Sequence, residues 1–220
     1  MKRKVKKRLQ PRRRKRTRRA PAVPEPEAIL PVALAEFSQR GYQRTPLSLI
    51  ARRVGCAPRT LLRRYPTKEA LSLAVLEWQA GRALRAFPKH ARAEPIRERL
   101  DRALGALIQF YVDDRGLVAK LTFELWRALS KKDEETRLRL SWTHAQWQEL
   151  VREILADGIR TGEVRSTLDP STVAASVVAA CEGMALRWVV LGGALTPEAF
   201  SASLVAPLVP HPLPSGERQR

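Results

Sequence analysis

The sequence predicts an all-α fold in two parts, a three-helix N-terminal unit followed by a larger helical bundle. Three observations carry this. Apolar residues recur at i, i+3, i+4 and i+7 in segment after segment. One start device, a Thr or Asp followed by proline, recurs at Thr45-Pro46, Asp169-Pro170 and Thr196-Pro197; the first residue caps and the second loses nothing by lacking an N–H. Glycines and prolines close the segments, at Gly41, Gly55, Pro66, Gly162 and Pro207. A chain of 220 residues with 44% hydrophobic residues is long enough to bury such a core.

The first 26 residues hold no acid before Glu25 and are dense in cations from Lys2 to Arg19. Mutual repulsion, with Pro11, Pro21, Pro24 and Pro26, predicts a disordered basic arm over 1–26. Beside DNA such an arm follows phosphates or enters a minor groove, adding affinity with little sequence preference. A first helix is expected over about 28–40, with Leu30, Ala33, Leu34 and Phe37 as its apolar stripe. Pro31 suits a first turn only, so this helix is expected to start late or to kink.

From Thr45 to Tyr65 two short helices flank a tight break. Thr45 is expected to cap the first, whose apolar face is Leu47, Ile50, Ala51 and Val54. Gly55 makes the turn. Pro58 opens the second helix, in which Leu61 and Tyr65 point one way while Arg59, Thr60, Arg63 and Arg64 lie around the rest. A buried helix, a glycine turn and a short cationic second helix make a helix-turn-helix, whose second helix enters a DNA major groove. A plain helical hairpin with a solvated basic face has the same spacing. The net charge of +19 calls for a polyanionic partner, nucleic acid before an anionic membrane surface, although much of it sits in the arm.

Thr67 caps a helix expected over about 68–87, burying Leu71, Ala74, Val75 and Trp78. Further helices are expected at about 95–112 (Leu100, Leu104, Leu107, Tyr111), 117–129 (Val118, Leu121, Leu125) and 132–161 (Trp147, Leu150, Val151, Ile154, Leu155). The helix from Asp169-Pro170 to about 191 is rich in small residues, Ala174, Ala175, Ser176, Ala179, Ala180 and Gly183, which let two backbones approach closely. Thr196-Pro197 opens a last helix with Phe200 and Leu204, and the proline-rich tail over 209–220 is expected to be disordered.

No apolar run approaches the roughly 18 residues of a membrane span, and no secretion signal is evident. Cys56 and Cys181 are distant and lack metal-ligand spacing, as for reduced thiols in a cytoplasmic protein. There is no Gly-rich phosphate loop, His/Cys metal spacing or nucleophile elbow, so no enzyme activity, cofactor or metal is expected. His90, His144 and His211 are scattered and read as surface or capping residues. Glu124 and Glu182 lie on otherwise apolar helices; each is a polar group in a ligand site or, more commonly, a carboxylate bridged to an arginine.

Ile29-Leu30, Phe37, Gly41-Tyr42, Thr45, Ile50-Ala51, Gly55, Pro58-Arg59-Thr60-Leu61, Tyr65 and Lys68-Glu69 agree in one register with the N-terminal pattern of the TetR family of bacterial transcriptional regulators. The resemblance spans roughly 28–78. The run from Gly162-Glu163-Val164-Arg165 through Asp169-Pro170 to Glu182-Gly183 is similar to that family's C-terminal region. It implies a helix-turn-helix DNA-binding domain over 27–72 and a helical ligand-binding and dimerisation domain over 73–208, joined by a long helix. It implies three partners: double-stranded DNA, a second copy of the chain and a small-molecule effector of unknown identity. A membrane is not among them. The matching DNA-contact positions are Thr45, Ser48, Pro58, Arg59, Thr60, Leu62, Arg63, Arg64 and Lys68; Leu62 departs from the aromatic usual there. Arg59 is the leading candidate for reading a base, because a guanidinium fits guanine's two acceptors. The effector cavity falls among the middle helices, where Trp78, Phe110, Phe123, Trp126, Trp142 and Trp147 are candidate lining residues, each equally an ordinary core aromatic. Two rivals stay open: a sequence-independent architectural DNA-binding protein driven by the arm, and a ligand-binding helical module with a vestigial head.

Overall fold

A computed structural model describes residues 23–87, 94–128, 134–192 and 196–209. Most of the basic arm, His90, His211 and the tail beyond Val209 lie outside the described residues. Among the described residues the order is α1 (Pro26–Arg40), α2 (Leu47–Val54), α3 (Pro58–Arg64), α4 (Lys68–Ala86), α5 (Ile96–Ala128), α6 (Glu134–Thr161), α7 (Pro170–Leu191) and α8 (Pro197–Val205). They carry no strand, as expected of an all-α chain.

Helices α1, α2 and α3 close around Ile29, Ala33, Phe37, Ile50, Ala51 and Leu61, all fully buried. α1 starts earlier than expected, not later. Its first residue is Pro26, which puts the exposed Pro31 in the second turn, where the N–H it lacks would have bonded the carbonyl of Glu27. Thr45 does not cap α2. The cap position is Pro46, and Thr45 is fully buried, its Oγ1 donating to the carbonyls of Gly41 (2.8 Å) and Glu36 (3.2 Å). A hydroxyl facing the end of α1 satisfies carbonyls there at the expense of N–H groups on α2. Glu36, also buried, ties the unit together by pairing with Arg40 (2.9 Å) and with Arg53 of α2 (3.1 Å).

Thr67 caps α4 as expected, Oγ1 accepting from the N–H of Ala70 at 3.1 Å. α4 packs on α1 of the N-terminal unit and on α5 and α6 of the bundle. A two-point pair, Arg139 Nε to Glu77 Oε1 (2.9 Å) and Nη2 to Oε2 (2.6 Å), clamps α4 to α6.

α5 is the axis of the bundle, in contact with α4, α6, α7 and α8. The two helices expected over 95–129 are one. The break that the local sequence signals survives only as Gly116, with φ +70°, inside an otherwise continuous α5. Its position is set by α7: a Cβ at Gly116 would collide with Cγ2 of Val189. A second close approach occurs at Gly158 of α6, where a Cβ would stand 2.5 Å from Val164 Cγ2 and 3.0 Å from Ile96 Cγ2. The start of α5 is fastened there too, the N–H of Ile96 donating to Glu163 Oε2 at 2.9 Å.

Asp169 caps α7, its Oδ2 accepting from the N–H (2.8 Å) and Oγ1 (2.6 Å) of Thr172. By length and hydropathy (1.6) α7 reaches the range of a membrane span, contrary to expectation. It nevertheless carries Glu182 and Arg187, and buries Ala174, Val177, Val178, Cys181 and Ala185 against the bundle. Its other side, with Ala175, Ser176, Ala179, Gly183 and Val190, is exposed in the single chain.

Candidate nucleic-acid interface and internal cavity

The chain turns between α2 and α3 at Gly55, in the left-handed region (φ 81°, ψ 25°), and the N–H of Cys56 returns to the carbonyl of Ala51 at 2.9 Å. Pro58 at the first position of α3 fixes the entry angle in place of a side-chain cap. Leu61 and Tyr65 turn into the core while Pro58, Arg59, Leu62 and Arg63 form an exposed face, with Leu62 41% exposed. Ser48 is exposed on α2. Among the described residues neither Arg59 nor Arg63 has an ion-pair partner; Arg64 reaches Glu25 at 3.3 Å. Two expected contact residues face the other way. Thr45 is sealed beneath α1, and Thr60, only 2% exposed, lies on the inner side of α3 one residue before Leu61. Neither has a surface to offer DNA.

Lys68 is held before any partner arrives. Its Nζ lies 4.3 Å above the ring centre of Tyr42 and donates to the carbonyl of Gln43 at 3.2 Å, while the Tyr42 hydroxyl donates to Glu69 Oε1 at 2.8 Å. Burial pushes the Lys68 amine below its usual range, and burial followed by the Glu69 bond pushes the Tyr42 phenol up. Beside them the Gln43 amide donates to Glu124 Oε2 of α5 at 3.0 Å, a polar tie between the N-terminal unit and the bundle. Glu124 also pairs with Arg127 at 3.0 Å.

A cavity of about 250 Å³ lies between α5 and α7. Tyr111, Ala119, Thr122, Phe123 and Trp126 form one wall, and Ala179, Glu182, Gly183 and Leu186 the other. Of the six candidate aromatics, Phe123 and Trp126 are in this wall. Phe110 lines a different, more open groove of about 750 Å³ between α4 and α5, with Arg82, Arg85 and Asp113. Trp78 lies under the Arg82 guanidinium at 4.9 Å. Trp147 is a core residue without exposure, packed 5.7 Å from Phe110, and Trp142 is 62% exposed and belongs to neither wall. Aromatic content alone could not separate a wall from a core or a surface, because all three positions recur at helical spacing.

The polar residues of the wall form a cluster that spacing did not reveal. Tyr111 of α5 donates its hydroxyl to Glu182 Oε1 of α7 at 2.8 Å, and His144 Nδ1 of α6 meets the same oxygen. His144 is therefore an internal residue rather than a surface or capping one. Its Nε2 and the indole N–H of Trp147 are buried with no hydrogen-bond partner among the described residues. Burial and then the Glu182 charge hold the Tyr111 phenol well above its usual range, and the same two causes push the neighbouring Cys181 thiol up to about 12.

Residues 29–75 match the family model of bacterial regulatory proteins of the tetR family, and 95–208 match that of the BetI-type transcriptional repressor C-terminal domain. The chain belongs to the TetR family. Solved structures share its fold. A protein from Rhodococcus described as a TetR-family transcriptional regulator is 26% identical, with 82% of this chain and 94% of that one covered at a TM-score of 0.62. The regulator FadR from Bacillus subtilis, solved with stearoyl-CoA, is 19% identical, covers 84% and 98%, and has a TM-score of 0.65. AibR, solved with isovaleryl coenzyme A and operator DNA, is 20% identical, covers 84% and 98%, and has a TM-score of 0.58. No curated protein sequence matches the chain. For a TetR-family chain the two regions above fall on the two matched domains: the exposed face of α3 in the first, the α5–α7 cavity in the second.

Proposed function

We propose that this TetR-family chain is a ligand-responsive, sequence-specific DNA-binding regulator that acts as a homodimeric repressor on a palindromic operator in the cytoplasm. One observation carries the reading. α3 turns Arg59 and Arg63 outward without ion-pair partners in the described chain, so their guanidinium groups need not break an internal pair to meet DNA. Ser48 supports this face from α2, and Arg64 and Lys68 flank it as phosphate contacts. We divide the chain into a DNA-binding domain over 27–72 and a ligand-binding and dimerisation domain over 73–208.

The exposed side of α7, together with α8, supplies the dimer face, because its small residues Ala175 and Ser176, which do not line the cavity, let a second copy of α7 approach closely. The α5–α7 cavity is the effector site, a reading supported by structural relatives solved with acyl-CoA ligands. Thr122, Phe123 and Trp126 line the cavity, and the intervening Glu124 is tied to Gln43 of the N-terminal unit. A ligand that favours a different setting of this end of α5 would shift the heads away from a spacing of about 34 Å, one turn of DNA.

The test is Arg59→Ala on operator fragments selected from random sequence. The expected result is a loss of about 1–3 kcal/mol on the selected site, with binding to unrelated DNA little changed. Equal loss on both overturns base reading by Arg59. Deleting residues 1–22 should keep specificity and flatten the salt dependence; loss of all binding would favour the arm-driven alternative.

A further inference from the structure

We propose that Leu62 reads a thymine: in each half of the operator its side chain packs on the C5-methyl group of a T·A pair close to the guanine that Arg59 reads. This rests on the reading of α3 as the recognition helix, and goes beyond it by naming a base that the cationic residues do not select.

α3 exposes two strips that run side by side. Residues four apart share a helix face, so Arg59 and Arg63 make one strip and Pro58 and Leu62 the other. All four are exposed. The first strip is cationic, and the second has no polar side-chain atom. Among the described residues Leu62, 41% exposed, is the one large hydrophobic side chain that the N-terminal unit leaves exposed; the others, such as Trp142 and Val190, belong to the bundle. A singly exposed leucine is ordinary on a protein surface. This one stands less than a helical turn from Arg59 and directly precedes Arg63, in the middle of the face turned to the groove.

The chemistry of the groove then limits what Leu62 can meet. Phosphates are held by charged and hydroxyl-bearing side chains and by N–H groups, and an isobutyl group offers none of these. Along the base edges of the major groove lie hydrogen-bond donors and acceptors, with one apolar feature, the methyl group of thymine. Against a donor or acceptor Leu62 would displace water and return no bond. Against the methyl group it buries carbon on carbon. An α-helix rises ~1.5 Å per residue, so Leu62 lies ~4.5 Å along the axis from Arg59. Successive base pairs are ~3.4 Å apart, which places the thymine within about two steps of the guanine.

The test begins with an operator selected from random DNA. Each of its thymines is replaced in turn by deoxyuridine, which lacks only the methyl group, and binding of the full-length protein is measured by fluorescence anisotropy. One replacement in a half-site should weaken binding about fourfold, the worth of one buried methyl group, and the symmetric pair of replacements by more than roughly tenfold. Leu62→Ala should bind the thymine and uracil operators alike, while Arg59→Ala keeps the difference between them. Should Leu62→Ala lose helix by circular dichroism, Leu62→Gln serves instead with the same expectation. A selected site with no thymine in either half overturns the proposal. So does a scan in which no uracil costs affinity, or a Leu62→Ala protein that still prefers thymine. Failure of the regulator reading shows earlier, as a selection that enriches no fragment, and takes the thymine contact with it.

Discussion

Gly158→Ala pits two effects of opposite sign against each other. In a helix interior alanine is favoured over glycine by about 0.5–1 kcal/mol. Against this, the new methyl would stand 2.5 Å from Val164 Cγ2 and 3.0–3.1 Å from the side chain of Ile96. Neither neighbour is free to retreat. Val164 is 3% exposed and its own N–H is bonded to the Gly158 carbonyl at 3.0 Å, while Ile96 is 1% exposed and pinned through its N–H to Glu163. Overpacking of this kind costs about 1–3 kcal/mol. The steric term wins, and the net loss should be roughly 0.5–2 kcal/mol. Guanidinium unfolding at one fixed protein concentration measures it, with Val164→Ala and the double variant completing a cycle. Val164→Ala alone opens a cavity; in the Gly158→Ala background it makes room for the methyl, so the pair should be coupled by about 1 kcal/mol or more in the favourable direction. A Gly158→Ala protein as stable as the parent, or a purely additive double variant, would refute the close approach of α6 to the start of α5.

Gly116→Ala should cost more, about 2–5 kcal/mol, because the clash with Val189 adds to a left-handed backbone and no helix propensity is regained; the same unfolding assay reads it. Asp169→Ala removes the oxygen that receives both Thr172 donors and should cost about 1 kcal/mol, seen as a lower Tm, with no change if the cap is idle. Asp157 is held below the ordinary aspartate value of 3.8 by its bonds from Arg99 and then Arg160. A depressed folded value gives stability that is present above 3.8 and lost as pH falls through the lower folded one. The Tm gap between wild type and Asp157→Asn should therefore close on acidification, and a constant gap would contradict the pairing. Val190→Arg, placed on the exposed side of α7, should convert a dimer to folded monomers in sedimentation equilibrium; a dimer that persists rules out that face.

Helix starts were the most legible part of the fold where the capping oxygen had one choice. Asp169 and Thr67 cap as their sequence context implies. Thr45 does not, because carbonyls at the end of α1 compete for its hydroxyl, and that competition is tertiary. The same blindness put Thr60 on the outer face of α3, when burial depends on how the short helix is rolled against α2. The split expected near residue 116 was half visible: the local signal for a break was real, but continuous packing of α5 against its neighbours carries the helix through it. At the cavity, Phe123 and Trp126 were legible as aromatics and Glu182 as a polar candidate, but its clustering with Tyr111 and His144 was not. These residues lie on three helices, and no spacing in one dimension brings them together.

The chain has two cysteines, and their surroundings could hardly differ more. Cys181 has no exposure, and its thiol, pushed up to about 12, gives almost no thiolate at neutral pH. Cys56 is partly exposed at the bend that joins α2 to α3. A maleimide fluorophore added to the unmodified protein should thus mark one place, a few residues from Arg59, with no engineering of the sequence. Nature has in effect left a labelling handle on the reading head, through which docking and release can be watched in real time.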